Sequence, residues 1–300
     1  MKKREEKNIK KIVKILLQII FFSVLLIYIA VNLYRSVIFQ KNDRINLFIF
    51  DKNPTFLSIS TKGEQNFLVN FYPDLKINVP GGFSFYRIGA LNKLVQLEKR
   101  ADIYQKAISG STLTFLDYYF YPKKQEIYYG GDSKPQIVEL SIKNVLFDKS
   151  NANFFDRLYL SYRIISLNKN DLIKLNTFER LNKNKDMVFD TERFEETYNG
   201  LFYQSTYRTE RKSVQILYTK NYSSAVLIGK ILENNGIRVV DISKTTKTYK
   251  GCVVIEKTNK LSKTAKNLNS YFGCKTIQAD TGISDIIMFL GAIENSWLIN

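Results

Sequence analysis

The stretch FYPDLKINVPGGFSFYRIGALNKL, residues 71–94, carries the clearest local pattern in the 300-residue chain. It opens on an apolar run, breaks at Pro80-Gly81-Gly82, and then repeats apolar residues at helical spacing. A strand, a turn and a helix in this order are typical of an α/β fold. Two charged residues stand out, because Asp74 follows a proline and Arg87 directly precedes the helical run.

The neighbouring segments extend the same pattern in both directions. Alternating apolar residues predict three strands before this stretch, at 45–51, 55–61 and 66–73. Helical spacing predicts a helix from Ile88 to about Arg100, and a second helix from 101 that ends at Gly110. LTFLDYYFYP, residues 113–122, reads as a further strand. Residues 45–149 are therefore predicted to form one α/β domain.

The remainder of the chain divides into a connector and a second α/β unit. Residues 150–211 carry helical spacing and polar breaks, which predicts a helical connector followed by a linker. Residues 212–300 show the order βαββαββ, with two helices that begin at serine and end at glycine. The predicted fold class is α/β, with two units that follow a transmembrane helix.

An apolar segment at residues 12–34 predicts that membrane helix. Its only charge is Lys14, at the edge, and about 20 apolar residues are enough to cross a bilayer. The run is too long for a signal peptide and has no convincing cleavage site. The basic tail, residues 1–11, is richer in cations than the flank that holds Arg35, Lys41 and Arg44.

This charge asymmetry predicts the location of the chain. The tail is expected in the cytoplasm, and the body from about residue 40 onward is expected outside. We expect a bacterial, single-pass protein of the plasma membrane whose bulk lies in the cell envelope.

Composition narrows the function further. The net charge of +17 is spread along the chain, and the short cytoplasmic side holds no helix-turn-helix, so we do not expect nucleic acid as a partner. The chain has no histidine, which excludes Ser-His-Asp and Cys-His catalysis and every histidine-based metal site. An enzyme built from this chain depends on carboxylates, Arg, Lys, Tyr or a bound cation.

The two cysteines, Cys252 and Cys274, fall in the body that is predicted to be exported. Such a pair forms either a disulfide or two buried thiols on adjacent strands, and the sequence favours neither. Two cysteines without histidine are too few for a zinc site.

Residues 212–300 resemble the C-terminal domain of proteins of the LytR-CpsA-Psr family. The likeness runs through SVQILYTKNYSSAVLIGKILENNGIRVVDI, residues 213–242, and the closing SDIIMFLG, residues 284–291. The chain departs from the family at TKNYSS, residues 219–224, where the family has a glycine-rich turn. This loss weakens the case for an anion site at the turn, although Lys220 offers a partial substitute.

The stretch at 71–94, together with LTFLDYYFYP, resembles a shortened form of the same family's catalytic domain. Asp74, Arg87 and Asp117 fall where the family has an aspartate, a base before a helix, and the aspartate of an Asp-Tyr-Tyr strand. The resemblance implies an envelope protein that handles polymers such as teichoic acid or capsule. Its enzymes transfer these polymers from a polyprenyl-pyrophosphate carrier to peptidoglycan.

The resemblance also assigns roles to individual residues. Asp74 and Arg87 stand as the catalytic candidates, and Asp74 and Asp51 as ligands of Mg²⁺. Arg87, Arg100 and Lys52 stand as phosphate-binding candidates. Two family features are missing. Pro73 directly precedes Asp74, so the arginine that the family has between the two is absent. FDKNPTFLS, residues 50–58, stands where the family has an arginine- and aspartate-rich block.

These losses decide between three hypotheses. Because removal of one charge-stabilising donor typically lowers the rate by about 10²–10³, we expect a non-catalytic protein. It is expected to bind a wall glycopolymer, a lipid-linked precursor or an envelope partner, with the lipid bilayer as a further partner. The alternatives are a minimal Mg²⁺-dependent phosphotransferase and a structural or regulatory membrane protein whose C-terminal domain contacts other proteins.

Overall fold

The structure is a computed structural model of the chain. It describes residues 2–34, 36–40, 42–130, 140–167, 171–182, 185–247, 249–258 and 260–299. Arg35 and Lys41, which contribute to the charge asymmetry around the membrane helix, lie outside these residues.

The described residues form α-helices, one 3₁₀ turn at Ile88–Ala90 and short β-strands. The helices are α1 (Lys2–Tyr34), α2 (Val37–Gln40), α3 (Leu91–Glu98), α4 (Asp102–Thr112), α5 (Ile142–Phe147), α6 (Phe154–Ile165), α7 (Thr191–Tyr198), α8 (Ser205–Glu210), α9 (Tyr222–Asn234), α10 (Lys263–Phe272) and α11 (Ile293–Ser296). The strands are β1 (Arg44–Ile49), β2 (Thr55–Ser60), β3 (Asn66–Asn70), β4 (Lys76–Val79), β5 (Ser84–Arg87), β6 (Tyr118–Tyr121), β7 (Lys149–Ser150), β8 (Leu172–Leu175), β9 (Glu179–Leu181), β10 (Met187–Phe189), β11 (Ser213–Tyr218), β12 (Arg238–Lys244), β13 (Val253–Glu256), β14 (Lys275–Gln278) and β15 (Ile286–Phe289).

Helix α1 contains the predicted membrane segment. Its part from Val13 to Tyr34 has a mean hydropathy of 2.5 over its most apolar window, and none of that window is buried against the rest of the chain. A helix of this length and composition is able to cross a bilayer.

A six-stranded sheet, in the order β7-β6-β1-β2-β3-β8, organises the first unit. Its central strands are buried on both faces, because alternate side chains of β1 enter two different cores. Phe48 packs with Phe71 and Tyr104 on the side of α3 and α4, whereas Leu47 packs with Phe120 and Leu160 on the side of α5 and α6.

A smaller sheet, in the order β5-β4-β10-β9, contains the stretch quoted at the outset. β4 and β5 form an antiparallel hairpin, and its turn depends on Gly81 and Gly82, whose φ angles are 95° and 89°. The sequence predicted only a strand and a turn before the helix, and it did not predict β5, which lies between the turn and the helix. Arg87 is therefore the last residue of a strand, followed by the 3₁₀ turn that leads into α3.

The second unit has the order βαββαββ that its sequence predicts. Its sheet is ordered β12-β11-β15-β13-β14, and α9 and α10 pack on it. Cys252 and Cys274 precede the parallel neighbours β13 and β14, and they are joined in a disulfide. Of the two arrangements that the sequence left open, the structure therefore has the bonded one.

Two local predictions were wrong. α4 does not end at Gly110 but continues to Thr112, where Leu113 takes a left-handed φ of 51°. Gly110 instead allows α4 to approach Pro80 closely, since a Cβ at this position would lie 3.3 Å from the ring of Pro80. The segment 150–211 is not purely helical, because β8 extends the six-stranded sheet and β9 and β10 extend the smaller sheet.

Candidate functional site

Asp74 and Arg87 are brought together by the β4–β5 hairpin. Asp74 precedes β4 and Arg87 ends β5, so that Nη1 of Arg87 donates to Oδ1 of Asp74 at 3.0 Å. The other carboxylate oxygen, Oδ2, accepts the backbone amide of Gly130 at 3.0 Å. The guanidinium of Arg87 lies 4.6 Å from the ring centre of Tyr129. The negative charge of Asp74 and the positive charge of Arg87 therefore form an ion pair.

The other predicted phosphate-binding residues have different surroundings. Arg100 donates from Nη2 and Nε to the two carboxylate oxygens of Asp102, at 2.9 and 3.3 Å, at the start of α4. This hydrogen bonding raises the pKa of Arg100. Lys52 is exposed in the turn between β1 and β2. Arg100 is therefore held by a carboxylate, as Arg87 is.

Asp51, the second predicted Mg²⁺ ligand, lies in the same turn as Lys52. Burial raises its pKa to about 6, against the effect of the Asn53 amide, which donates to its Oδ1 at 2.9 Å. Within the part of the chain that the structure describes, no three Asp, Glu, Cys or His side chains form a group able to hold a metal ion. Asp74 and Asp51 thus belong to no such group, and the two carboxylate oxygens of Asp74 accept hydrogen bonds from Arg87 and Gly130.

The apolar core beside the Asp74–Arg87 pair is filled by aromatic rings. Leu75 and Ile88, the neighbours of the pair in sequence, belong to this core. Tyr104 lies at its centre without exposed surface, and its ring centre is 5.6 Å from that of Phe50 and 5.1 Å from that of Tyr121. The rings of this core therefore contact one another closely, and they form its interior.

Asp117 lies in a different place, before β6. Its Oδ2 accepts the backbone amide of Asn46 at 2.7 Å, and its backbone carbonyl accepts the side-chain amide of Asn151 at 2.8 Å. Burial raises the pKa of Asp117 to about 7, in spite of the hydrogen bond from Asn46. Burial thus favours the protonated form of this carboxyl more than in a free aspartate.

Asp117 borders a polar cavity of about 360 Å³ between the first unit and α10 of the second. We name it the junction cleft. Its walls carry amides, hydroxyls and two carboxyl groups, and they are formed by Asn42, Gln105, Leu116, Asp117, Tyr118, Asn151, Asn153, Asp156, Asn267, Ser270 and Tyr271. The lining is mainly polar, although Asp156, Asn153 and Tyr271 already hydrogen-bond within the chain.

The sequence identified only one residue of the junction cleft, Asp117. The other wall residues come from segments far apart in the chain, among them 151–153 and 267–271, which are more than a hundred residues apart. No local spacing connects such segments, so only the folded chain brings them together.

The turn that replaces the family's glycine-rich segment hydrogen-bonds to a carboxylate of the same chain. The carboxylate of Glu294 accepts the backbone amides of Thr219, Lys220 and Asn221 at 2.7, 2.9 and 3.0 Å. Glu294 is only 2% exposed, and although burial alone raises its pKa, these hydrogen bonds lower it overall. The anion position at the start of α9 is thus filled by an internal carboxylate.

Comparisons with known proteins were informative only at the level of solved structures, since no family model and no curated protein matches the chain. TagT of B. subtilis matches 53% of this chain and 89% of its own length, at 10% identity and a TM-score of 0.34. TagV of B. subtilis matches 66% of this chain and 98% of its own length, at 8% identity and a TM-score of 0.35.

A third match is a LytR-CPS2A-psr family protein, YwtF (TagT), with bound octaprenyl pyrophosphate lipid. It covers 65% of this chain and 91% of its own length, at 9% identity and a TM-score of 0.35. The predicted resemblance and the structural matches therefore name the same family. Because the TM-scores are below 0.5, we base the function on this chain's own residues.

Proposed function

We propose that the chain is a membrane-anchored, extracytoplasmic protein of the cell envelope that binds wall glycopolymer without transferring it. One observation carries this proposal, namely that the two candidate catalytic residues neutralise each other. Arg87 donates to Asp74 at 3.0 Å, and the second oxygen of Asp74 accepts a backbone amide. Phosphoryl transfer needs cations free to stabilise developing negative charge, and Arg87 is committed to a carboxylate.

The junction cleft is the proposed glycopolymer site. Its amides, hydroxyls and carboxyl groups offer several hydrogen-bonding groups, and the fold fixes their positions.

Helix α1 is the proposed anchor, with the basic tail in the cytoplasm. Its apolar part is long enough to cross a bilayer, and no part of the most apolar window packs on the body. The Cys252–Cys274 disulfide supports an oxidising compartment for the body.

Binding is tested with the full chain in lipid nanodiscs and purified cell walls, measured by co-sedimentation. Ser270→Trp places a large ring at the wall of the junction cleft and is expected to reduce binding at least tenfold. Thr197→Trp, on the exposed face of α7, is the matched control, since both hydroxyls bond only to a carbonyl of their own helix. Equal loss in both variants, or in neither, contradicts the assignment of the cleft.

A further inference from the structure

Helix α6 carries an apolar stripe on its exposed face. Phe154, Leu158, Tyr162 and Ile165 are 67%, 47%, 67% and 66% exposed. Their spacing of four, four and three residues places all four on one side of a helix. The opposite side is buried, where Leu160 and Ile164 enter the core under the six-stranded sheet.

The charged residues of α6 all turn away from this stripe. Arg157 donates to the carbonyl of Val145 at 2.9 Å, and Arg163 donates to the carbonyl of Ser60 at 2.5 Å. Asp156, the third charge, is buried. A solvent-facing helix normally presents its charges to water, and α6 does the reverse.

The start of α6 is bonded to the exit of the membrane helix. The side-chain amide of Asn153 donates to the carbonyl of Asn32, on α1, at 3.2 Å. The carboxylate of Asp156 accepts the hydroxyl of Ser36 at 2.8 Å and the amide of Val37 at 2.9 Å. The stripe therefore begins where the apolar span ends.

Helix α2 extends the apolar surface at this point. Ile38 and Phe39 are 44% and 54% exposed, and α2 contacts α6. Exposed apolar surface that is continuous over two elements marks an interaction site.

We propose that the exposed faces of α6 and α2 lie in the interfacial layer of the outer leaflet, with lipid as the occupant. This inference rests on the proposed anchoring by α1, and the surface is continuous with that span. Aromatic rings such as Phe154 and Tyr162 are favoured at the depth of the headgroups, and an amphipathic helix buries its apolar face there.

Docking of this kind fixes the body relative to the membrane. Asn153 and Asp156 both line the junction cleft and bond to the end of the span. The cleft is then held close to the bilayer surface rather than at the end of a flexible stalk. A polymer bound there stays near the membrane at which it is assembled.

Spin labels in the full chain test the proposal, in nanodiscs of phosphatidylcholine and phosphatidylglycerol. The native cysteines are bonded to each other, so a single introduced cysteine is the only free thiol. Leu158→Cys and Ile165→Cys probe the stripe. Val24→Cys probes the span, and Leu97→Cys, at an exposed leucine of α3, is the matched control. Collision with oxygen, which is enriched in lipid, is compared with collision with a water-soluble nickel chelate.

The expected result is a nickel collision rate several-fold lower at 158 and 165 than at 97, with oxygen collision retained. Equal nickel rates at 158, 165 and 97 with a deep label at 24 overturn the docking and leave the anchor intact. Low rates for both reagents at 158 and 165 indicate a protein cover and also overturn it. A water-exposed label at 24 overturns the anchor and, with it, the docking.

Discussion

Asp74 and Arg87 illustrate how much a single partner changes the chemistry of a side chain. Sequence position and residue type were enough to single out both, and the hairpin places them in contact. The sequence did not reveal that the two side chains form an ion pair with each other. Arg87 and Asp74 form a partly exposed ion pair, and pairs near the surface contribute little to stability, about 0–1 kcal/mol.

Asp74→Ala is therefore expected to be a mild change. It removes the partner of Arg87 and the acceptor of the Gly130 amide, and we expect the free energy of unfolding to fall by about 1–2 kcal/mol. Thermal unfolding with and without millimolar Mg²⁺ measures both effects. A rise in Tm with Mg²⁺ in the wild type that is absent in the variant contradicts our account, because it reveals a metal site at Asp74.

Asp117 predicts a pH dependence of stability. Its pKa is raised to about 7 in the fold, against about 3.9 in an unfolded chain, so the folded state holds the proton more tightly. The contribution of Asp117 to stability is therefore expected to fall as the pH rises from about 4 towards 7.

Asp117→Asn removes this titration and keeps an oxygen for the Asn46 amide. The stability of the variant relative to the wild type is expected to increase from pH 4 to pH 7 and then to level off. Chemical unfolding at several pH values measures the difference. If the difference in unfolding free energy between variant and wild type stays constant from about pH 4 to pH 7, Asp117 does not titrate as we describe.

Among the elements, α9 shows how a lost motif is replaced. The glycine-rich turn of the resembled family is absent, and the start of the helix is capped by Glu294 from α11. An internal carboxylate satisfies amides that a helix otherwise leaves without partners. Sequence spacing does not predict this cap, because the acceptor lies more than 70 residues away.

Glu294→Gln tests the cap. A glutamine has one neutral acceptor oxygen where the carboxylate has two charged ones, so it accepts the backbone amides more weakly. We expect the free energy of unfolding to fall by about 2–3 kcal/mol at pH 7. Because the hydrogen bonds lower the pKa of Glu294 overall, the difference in stability between the wild type and the variant is expected to narrow as the pH falls below the pKa of a free glutamate, about 4.3, towards the lower pKa of Glu294 in the fold. If the difference in unfolding free energy between the wild type and Glu294→Gln is unchanged at low pH, the cap does not depend on the charge of Glu294.

Elements with apolar periodicity or clear capping and turn signals were predictable from the sequence, and the others were not. The span, the central strands and the second unit follow from apolar periodicity and from capping residues. β5, β8, β9 and β10 lack such signals, and each of them pairs with a neighbouring strand in a sheet. The junction cleft depends on the same long-range assembly, so only Asp117 was named in advance.

At the scale of the molecule, a buried polar chain ties the two units together. Ser58 donates to Asn46, Asn46 donates to Thr114 at 3.2 Å, and Thr114 donates to Asn235 of the second unit at 3.0 Å. Buried networks of this kind are costly to break, since each member loses its partner without gaining water.

Asn235→Ala is expected to weaken the coupling of the units. It leaves Thr114 and the amide of Phe115 without their acceptor, and we expect a loss of about 2–4 kcal/mol. In calorimetry, the single transition of the wild type is expected to separate into two. A single transition of unchanged width in the variant shows that the units are coupled by other contacts.

The central claim is that this envelope protein binds wall glycopolymer and does not transfer it. The most direct measurement incubates the full chain in nanodiscs with labelled, polyprenyl-pyrophosphate-linked polymer, peptidoglycan and Mg²⁺. The polymer held by the protein and the polymer joined to peptidoglycan are then determined in the same sample. We predict bound polymer, reduced by Ser270→Trp, and no joined product. Joined product that disappears in Asp74→Ala contradicts the account.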